Sequence, residues 1–574
     1  MISAKDSTLL NTMFIRLLIV LLCLNLTILA NSEEIAPKVK TLSGALKGYY
    51  KISQYGRKYE AYEGIPYALP PIGELRFKPP RPITPWISEL SATKFGSPCI
   101  QYDQFASDSA DKVEGAEDCL YLNIYVPVRN KTENKTSMPV LFWIHGGAFQ
   151  YGSGMIYGAT YLMDSDVILV TFNYRLGPMG FLSTEDEVVP GNMGLKDQNM
   201  ALRWVFQNIE SFGGDPNGIT LFGQSAGSAS VHYHYLSPMS AGLFRGGISY
   251  SGTAFDCWAQ TENSLEKTKK LSALMGCPTT NSRDMIDCLR HRPARDIVQC
   301  QYSTNEFMYF FYNLITPFTP VVEKGSDTPF IDKTPVEIVN NGDVQDLPWV
   351  TSVVSQDGLY PVAEFIADNE TLKQLNNNWD HLAPRCLDFY DTIPKEKYVE
   401  ISHIIKKHYF GTKPIDQTTT SQLVQLASDR FFFVDSKKAA LMQAKVNKNP
   451  VWYSYFSYRG NQSLSEYYSG TTNNYGVCHG DDITYILDTP WVDPTTTQRD
   501  RDMQKLLIDF CVSFATNGIA KVYGANWSQL NPSEKEFHYL HIASPTEINT
   551  GSNADFGDET FWNSLKFNEN VLTT

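Results

Sequence analysis

The chain has 574 residues, of which 43% are hydrophobic, 13% aromatic and 19% charged. That composition holds ample apolar material for a large core, and it excludes a disordered chain, a collagen and a coiled coil. The net charge of −14, from 48 Lys and Arg against 62 Asp and Glu, argues against nucleic acid or an anionic membrane surface as a general partner.

Residues Leu17–Leu29 are almost wholly apolar, Arg16 precedes them, and Ala30, Asn31 and Ser32 follow. A basic start, a short apolar run and a small-residue exit predict a secretory signal peptide over 1–32. The run of 13 residues is short for a membrane span, which needs about 20, and an uncleaved anchor is the alternative reading. No later segment is long and apolar enough to span, and the C-terminus carries no KDEL-type retention signal. The expected location is outside the cell or in the secretory-pathway lumen. Five acceptor sequons, at Asn130, Asn134, Asn369, Asn461 and Asn526, then predict exposed, glycosylated loops.

Past the signal, Val140–Ile144, Val167–Phe172, Ile219–Phe222 and Trp452–Phe456 read as buried strands. Ser228–Tyr235 reads as a helix. Met503, Leu506, Leu507, Phe510, Cys511 and Phe514 form one apolar helical face, with Asn517-Gly518 as its stop. Buried strands alternating with helices predict an α/β fold, a mostly parallel sheet with helices on both faces. No linker or repeat interrupts residues 33–574, which read as one domain.

Nine cysteines follow the signal, so at least one is unpaired or bridges to another chain. Cys99/Cys119 and Cys277/Cys288 are the natural short-range candidates for disulfides. There is no C-x-x-C and no H-E-x-x-H, so neither a metal site nor a cofactor is expected. His232 and His234 flank Tyr233 without further ligands and read as packed or solvated. Nothing in the sequence specifies an oligomeric state.

Gly223-Gln224-Ser225-Ala226-Gly227 follows the strand Ile219–Phe222 and precedes the helix. This is a G-x-S-x-G nucleophile elbow in its required strand–turn–helix context. The turn pushes the Ser225 hydroxyl out of the sheet, and glycines at 223 and 227 avoid collision across it. His145-Gly146-Gly147-Ala148-Phe149 follows the strand Val140–Ile144 and is similar to an HGGG-type oxyanion loop. Gly147, Ala148 and Ala226 are the candidate N–H donors, each typically worth about 2.7–4 kcal/mol to an oxyanion. A serine nucleophile needs a base, and His479, in a Gly- and Asp-flanked late loop, is the best placed histidine. The orienting acid falls between them in the order Ser, acid, His. Asp357, just past the apolar run Val353-Val354, is a sensible choice, although an Asp-Gly pair is also an ordinary turn. Glu323 is the nearest alternative carboxylate.

These motifs, with Tyr62–Ala68, Glu117–Asn123 and Asn173–Gly177, resemble the carboxylesterase/cholinesterase family of α/β-hydrolases, the type-B carboxylesterases, from about Val39 to about Leu565. The resemblance implies a Ser225–Asp357–His479 triad, an oxyanion hole from Gly147, Ala148 and Ala226, and Cys99–Cys119 and Cys277–Cys288 disulfides. It likens Cys257 to the family's unpaired cysteine. Four positions depart from the family pattern. The acid is Asp357 where the family usually has Glu. Gln224 stands where Glu usually precedes the serine. Ala148 replaces a third glycine. No Trp lies within 100–118, where cholinesterases carry one for choline. The expected protein is a general carboxylesterase acting on small-molecule esters through an acyl-enzyme. A lipase-like esterase and a non-catalytic adhesion protein on the same fold are the other readings.

Overall fold

A computed structural model describes residues 36–103, 112–129, 137–301 and 317–569. The expected signal segment and the sequons at Asn130 and Asn134 lie outside them. Eleven strands form the central sheet. In chain order they are β1 (Tyr49–Ile52), β2 (Lys58–Pro66), β3 (Tyr121–Pro127), β4 (Met138–Ile144), β5 (Ile168–Phe172), β6 (Gly214–Gln224), β7 (Gly246–Tyr250), β8 (Trp349–Val354), β9 (Val451–Phe456), β10 (Phe537–Ser544) and β11 (Glu547–Asn553). In space they run β11-β10-β9-β8-β7-β6-β4-β5-β3-β2-β1. From β5 to β10 all pairings are parallel, whereas β1–β3 and β11 pair antiparallel at the two edges.

The parallel strands read as continuous apolar runs because both faces are covered. Every residue of β5, β7 and β8 is buried. One large apolar cluster includes Ile144, Val170 and Leu221, while a second includes Trp143, Leu169 and Phe222. Alternate residues of one strand thus feed opposite layers, as a two-sided sheet requires. The helix α1 (Ala226–Leu236) is buried along its whole length. The long helix α2 (Gln498–Asn517) packs its apolar stripe on the second layer and ends at Gly518 in the left-handed conformation, at the expected stop.

The order reverses between β6, β4 and β5. In open parallel sheets the ligand crevice forms at such a switch, outside the carboxyl ends of the strands. Here β4 and β6 are neighbours with Ile144 opposite Gly223, so the segments following them emerge side by side.

The structure contains the Cys99–Cys119 and Cys277–Cys288 disulfides. Cys257, Cys300, Cys386, Cys478 and Cys511 are free. His232 and His234 are fully buried, and burial pushes both imidazoles down to about 3. His232 stacks on Trp349, while His234 bonds Ser240 and Gln198. No helix among the described residues is long and apolar enough to cross a membrane.

Candidate active site

Ser225 stands between β6 and α1 with φ 59° and ψ −124°, a strained backbone for a residue with a Cβ. Its neighbours hold it there. The Ser225 N–H donates to the Tyr250 carbonyl at 2.9 Å, and its own carbonyl accepts from Ala229 N–H at 2.9 Å. A Cβ on Gly223 would lie 2.4 Å from the Gly227 carbonyl oxygen, so that glycine does relieve a collision across the turn. A Cβ on Gly227 would lie 1.9 Å from the Ile144 carbonyl oxygen, which belongs to β4. Gly227 therefore serves a different contact from the one expected, the fit of the elbow against the end of the neighbouring strand.

The segment after β4 makes a tight loop. Gly147, Ala148 and Phe149 all have positive φ, at 106°, 52° and 59°. A Cβ on Gly146 would sit 3.1 Å from the Ser225 Cβ, so the loop presses on the serine itself. His145 is buried, held neutral with its pKa lowered to about 4 by loss of solvent, and stacked on Tyr174. Gln101, inside the Cys99–Cys119 loop, accepts from Gly152 N–H at 2.6 Å and donates to the Gly152 carbonyl at 3.2 Å. Among the described residues, no hydrogen bond uses the N–H groups of Gly147, Ala148 or Ala226.

Asp357 and His479 come from distant segments brought into register by a parallel bridge between Gln356 and Cys478, one residue before each. The Gln356 N–H donates to the Val477 carbonyl at 3.2 Å, and the Val477 N–H donates to Gln356 Oε1 at 2.8 Å. His479 Nδ1 lies 2.8 Å from Asp357 Oδ1. The carboxylate can only accept, so Nδ1 carries a proton and donates it to Asp357. Asp357 Oδ2 accepts from Ser251 Oγ at 3.0 Å and from Val354 N–H at 2.8 Å. The imidazole packs against Tyr360 and Phe432, with ring centroids 5.4 and 4.5 Å away. Its Nε2 is buried and has no partner among the described residues.

Glu323 is elsewhere. It binds Lys196 Nζ at 2.7 Å, Asn192 Nδ2 at 3.1 Å and Phe330 N–H at 2.8 Å, all in the buried interior.

Ser225, His479, Gly146, Gly147 and Gln224 line one cavity of about 160 Å³. Its walls are largely aromatic, from Tyr151, Tyr157, Tyr360, Tyr467, Tyr468 and Trp491, with Asp103 and the exposed Glu114 the carboxylates among the described lining residues. Sequence reasoning missed all six rings and Phe432, because isolated aromatics carry no motif. Trp491 in particular supplies an aromatic face from outside the Cys99–Cys119 loop.

Ser225 and His479 thus line one space, with a carboxylate on the imidazole Nδ1 and with N–H groups of Gly147, Ala148 and Ala226 that no hydrogen bond among the described residues uses. The carboxylesterase family model matches residues 35–558. Venom carboxylesterase-6 of Apis mellifera is 52% identical over 559 residues, covering 97% of this chain and 99% of that protein. Juvenile hormone esterase of Tribolium castaneum is 39% identical over 520 residues, 87% of each chain. A crystal structure of juvenile hormone esterase from Manduca sexta, with OTFP covalently attached, superposes with a TM-score of 0.80 at 28% identity, covering 92% of this chain and 99% of that one. The chain belongs to the carboxylesterase family and is a carboxylic ester hydrolase.

Proposed function

We propose that Ser225, His479 and Asp357 are the catalytic triad of this esterase. His479 Nε2 takes the Ser225 proton as Oγ attacks the ester carbonyl. Gly147, Ala148 and Ala226 N–H groups stabilise the tetrahedral oxyanion. His479 then protonates the leaving alcohol, and a water activated by the same imidazole hydrolyses the acyl-enzyme. Asp357 holds the tautomer and stabilises the imidazolium. The observation that carries this reading is the Nδ1–Oδ1 contact of 2.8 Å beside a buried, unpartnered Nε2 in the cavity that Ser225 lines.

The substrates are small, uncharged esters. The cavity of about 160 Å³ is below the roughly 300–1,000 Å³ of sites for drug-sized ligands. The residue beside Ser225 is the neutral Gln224, and among the described residues the lining contains no Lys or Arg. Secretion is supported by the apolar run Leu17–Leu29 and by the exposure of Asn369, Asn461 and Asn526. The mature enzyme is then one catalytic domain, glycosylated on exposed asparagines.

The test is turnover of p-nitrophenyl esters of rising acyl length by the full chain and by Ser225→Ala and His479→Ala. Both variants should lose hydrolysis, and wild-type kcat/KM should fall from short to long acyl groups. Full activity in either variant would remove the triad reading. A rise with chain length on emulsified substrate would favour a lipase.

A further inference from the structure

Catalysis as proposed needs three segments in register: the loop after β4 with the N–H donors, Ser225 after β6, and His479 after β9. The first two are locked by contact, since Gly146 abuts the Ser225 Cβ and Gly227 abuts Ile144. The N–H donors and the base do not sit on neighbouring strands, because β6, β7 and β8 lie between, and the bonds that tie their two segments directly, from Gly158 N–H and Thr160 to Asp488, lie well past both.

Two tyrosines span that gap. Tyr151 belongs to the loop after β4, and Tyr360 lies three residues beyond Asp357. Their hydroxyl oxygens are 2.7 Å apart. The Tyr360 ring lies over His479 at an interplanar angle of 21°. Both tyrosines line the cavity. At its other end Tyr151 is fastened to a donor residue. The Gly147 carbonyl accepts from Gln150 N–H at 2.9 Å and Tyr151 N–H at 3.0 Å, and a Cβ on Gly147 would lie 2.0 Å from the Tyr151 carbonyl oxygen.

A run of three left-handed residues persists only where its surroundings over-determine it. Contacts with Gln101 and with Gly177, whose N–H donates to the Phe149 carbonyl at 2.7 Å, hold this loop along part of its length. The two hydroxyls hold it from the side of the base.

We infer that the Tyr151–Tyr360 hydroxyl contact is a strut that fixes the spacing between the oxyanion N–H groups and the His479 imidazole. The inference rests on the triad reading above. Neither tyrosine reacts; both are positioning residues. Burial pushes both phenols well above their ordinary range, so the contact stays protonated throughout the working pH.

The experiment compares full-length wild type with Tyr151→Phe, Tyr360→Phe and the double variant. Phenylalanine keeps each ring and its packing. Hydrolysis of p-nitrophenyl butyrate is measured across pH, with active sites counted by organophosphate titration. Each single variant should lower kcat per titrated site by roughly ten- to a hundredfold, the scale of a misplacement of up to about 1 Å. KM and the pH profile should hold, and the double variant should be no slower than the slower single, since both remove one contact. Retained kcat in either single variant would overturn the strut. So would losses that multiply in the double variant, or a loss confined to KM, which would make the hydroxyls substrate contacts. If wild type itself takes no organophosphate on Ser225, the triad reading fails. If wild type labels normally and both phenylalanine variants turn over at its rate, the strut alone fails.

Discussion

Asp357 and Glu323 are both buried carboxylates, and their partners part their roles. Asp357 faces an imidazole, a hydroxyl and an amide, whereas Glu323 faces the ammonium of Lys196. Asp357→Asn should cut kcat by about 10⁴-fold, the loss seen when a triad carboxylate becomes an amide, with little change in the melting temperature. Glu323→Gln should do the reverse. It strands a buried ammonium, costing about 3–5 kcal/mol of stability, while turnover per folded molecule stays at the wild-type level. Kinetics and melts on the two variants check the pair, and the opposite pattern would exchange their roles. Gly227→Ala should leave no active folded enzyme, since its methyl would meet the Ile144 carbonyl, whereas Gly242→Ala meets no neighbour, bears only the strain of its φ of 74°, and should keep activity while losing about 1–2 kcal/mol of stability. The serine was legible in the sequence because its turn demands a glycine at 223 and its seat against β4 another at 227. Asp357 was only partly legible, since an Asp-Gly pair is also ordinary turn chemistry. Its register with His479 comes from the Gln356–Cys478 bridge, a long-range pairing with no local signature.

The buried parallel strands β4, β5, β6 and β9 and the helix α2 stand where apolar runs and periodicity put them. Other elements left no such trace. The antiparallel edge strands β1, β2, β3 and β11 mix polar and apolar residues, and β11 exposes most of its length. The π-helical turn Asp429–Phe433, which carries Phe432 to His479, has no periodic pattern of its own. The Cys99–Cys119 segment shows how an element supports the site from outside. Its disulfide closes a loop with a sequence separation of 20, and Gln101 within it braces Gly152. Replacing both cysteines by alanine should lower stability by roughly 3 kcal/mol in the chain-entropy account. It should also lower kcat, because the brace on the loop after β4 loosens. Urea unfolding and kinetics on the same sample test this. Unchanged kcat would show that Gln101 keeps its place without the bridge.

At the scale of the whole molecule, the pocket reflects the reversal of strand order, and nothing in a linear pattern of apolar runs specifies which strands become neighbours. The same assembly sets substrate charge. Gln224 at the serine is neutral, and of the lining carboxylates among the described residues Asp103 is half-buried while Glu114 is exposed, where screening weakens it. At physiological salt, kcat/KM for 3,3-dimethylbutyl acetate should equal or exceed that for acetylcholine. A clear preference for acetylcholine would mean that Trp491 and the rim carboxylates act as a cation site. The central claim is that one strained serine does the chemistry. Its most direct measurement is peptide mass spectrometry of the full-length protein after reaction with an organophosphate. The expected result is a single adduct, on Ser225, formed in step with loss of esterase activity and absent in Ser225→Ala. Complete inactivation with the adduct on another residue, or full labelling of Ser225 with activity intact, would contradict it.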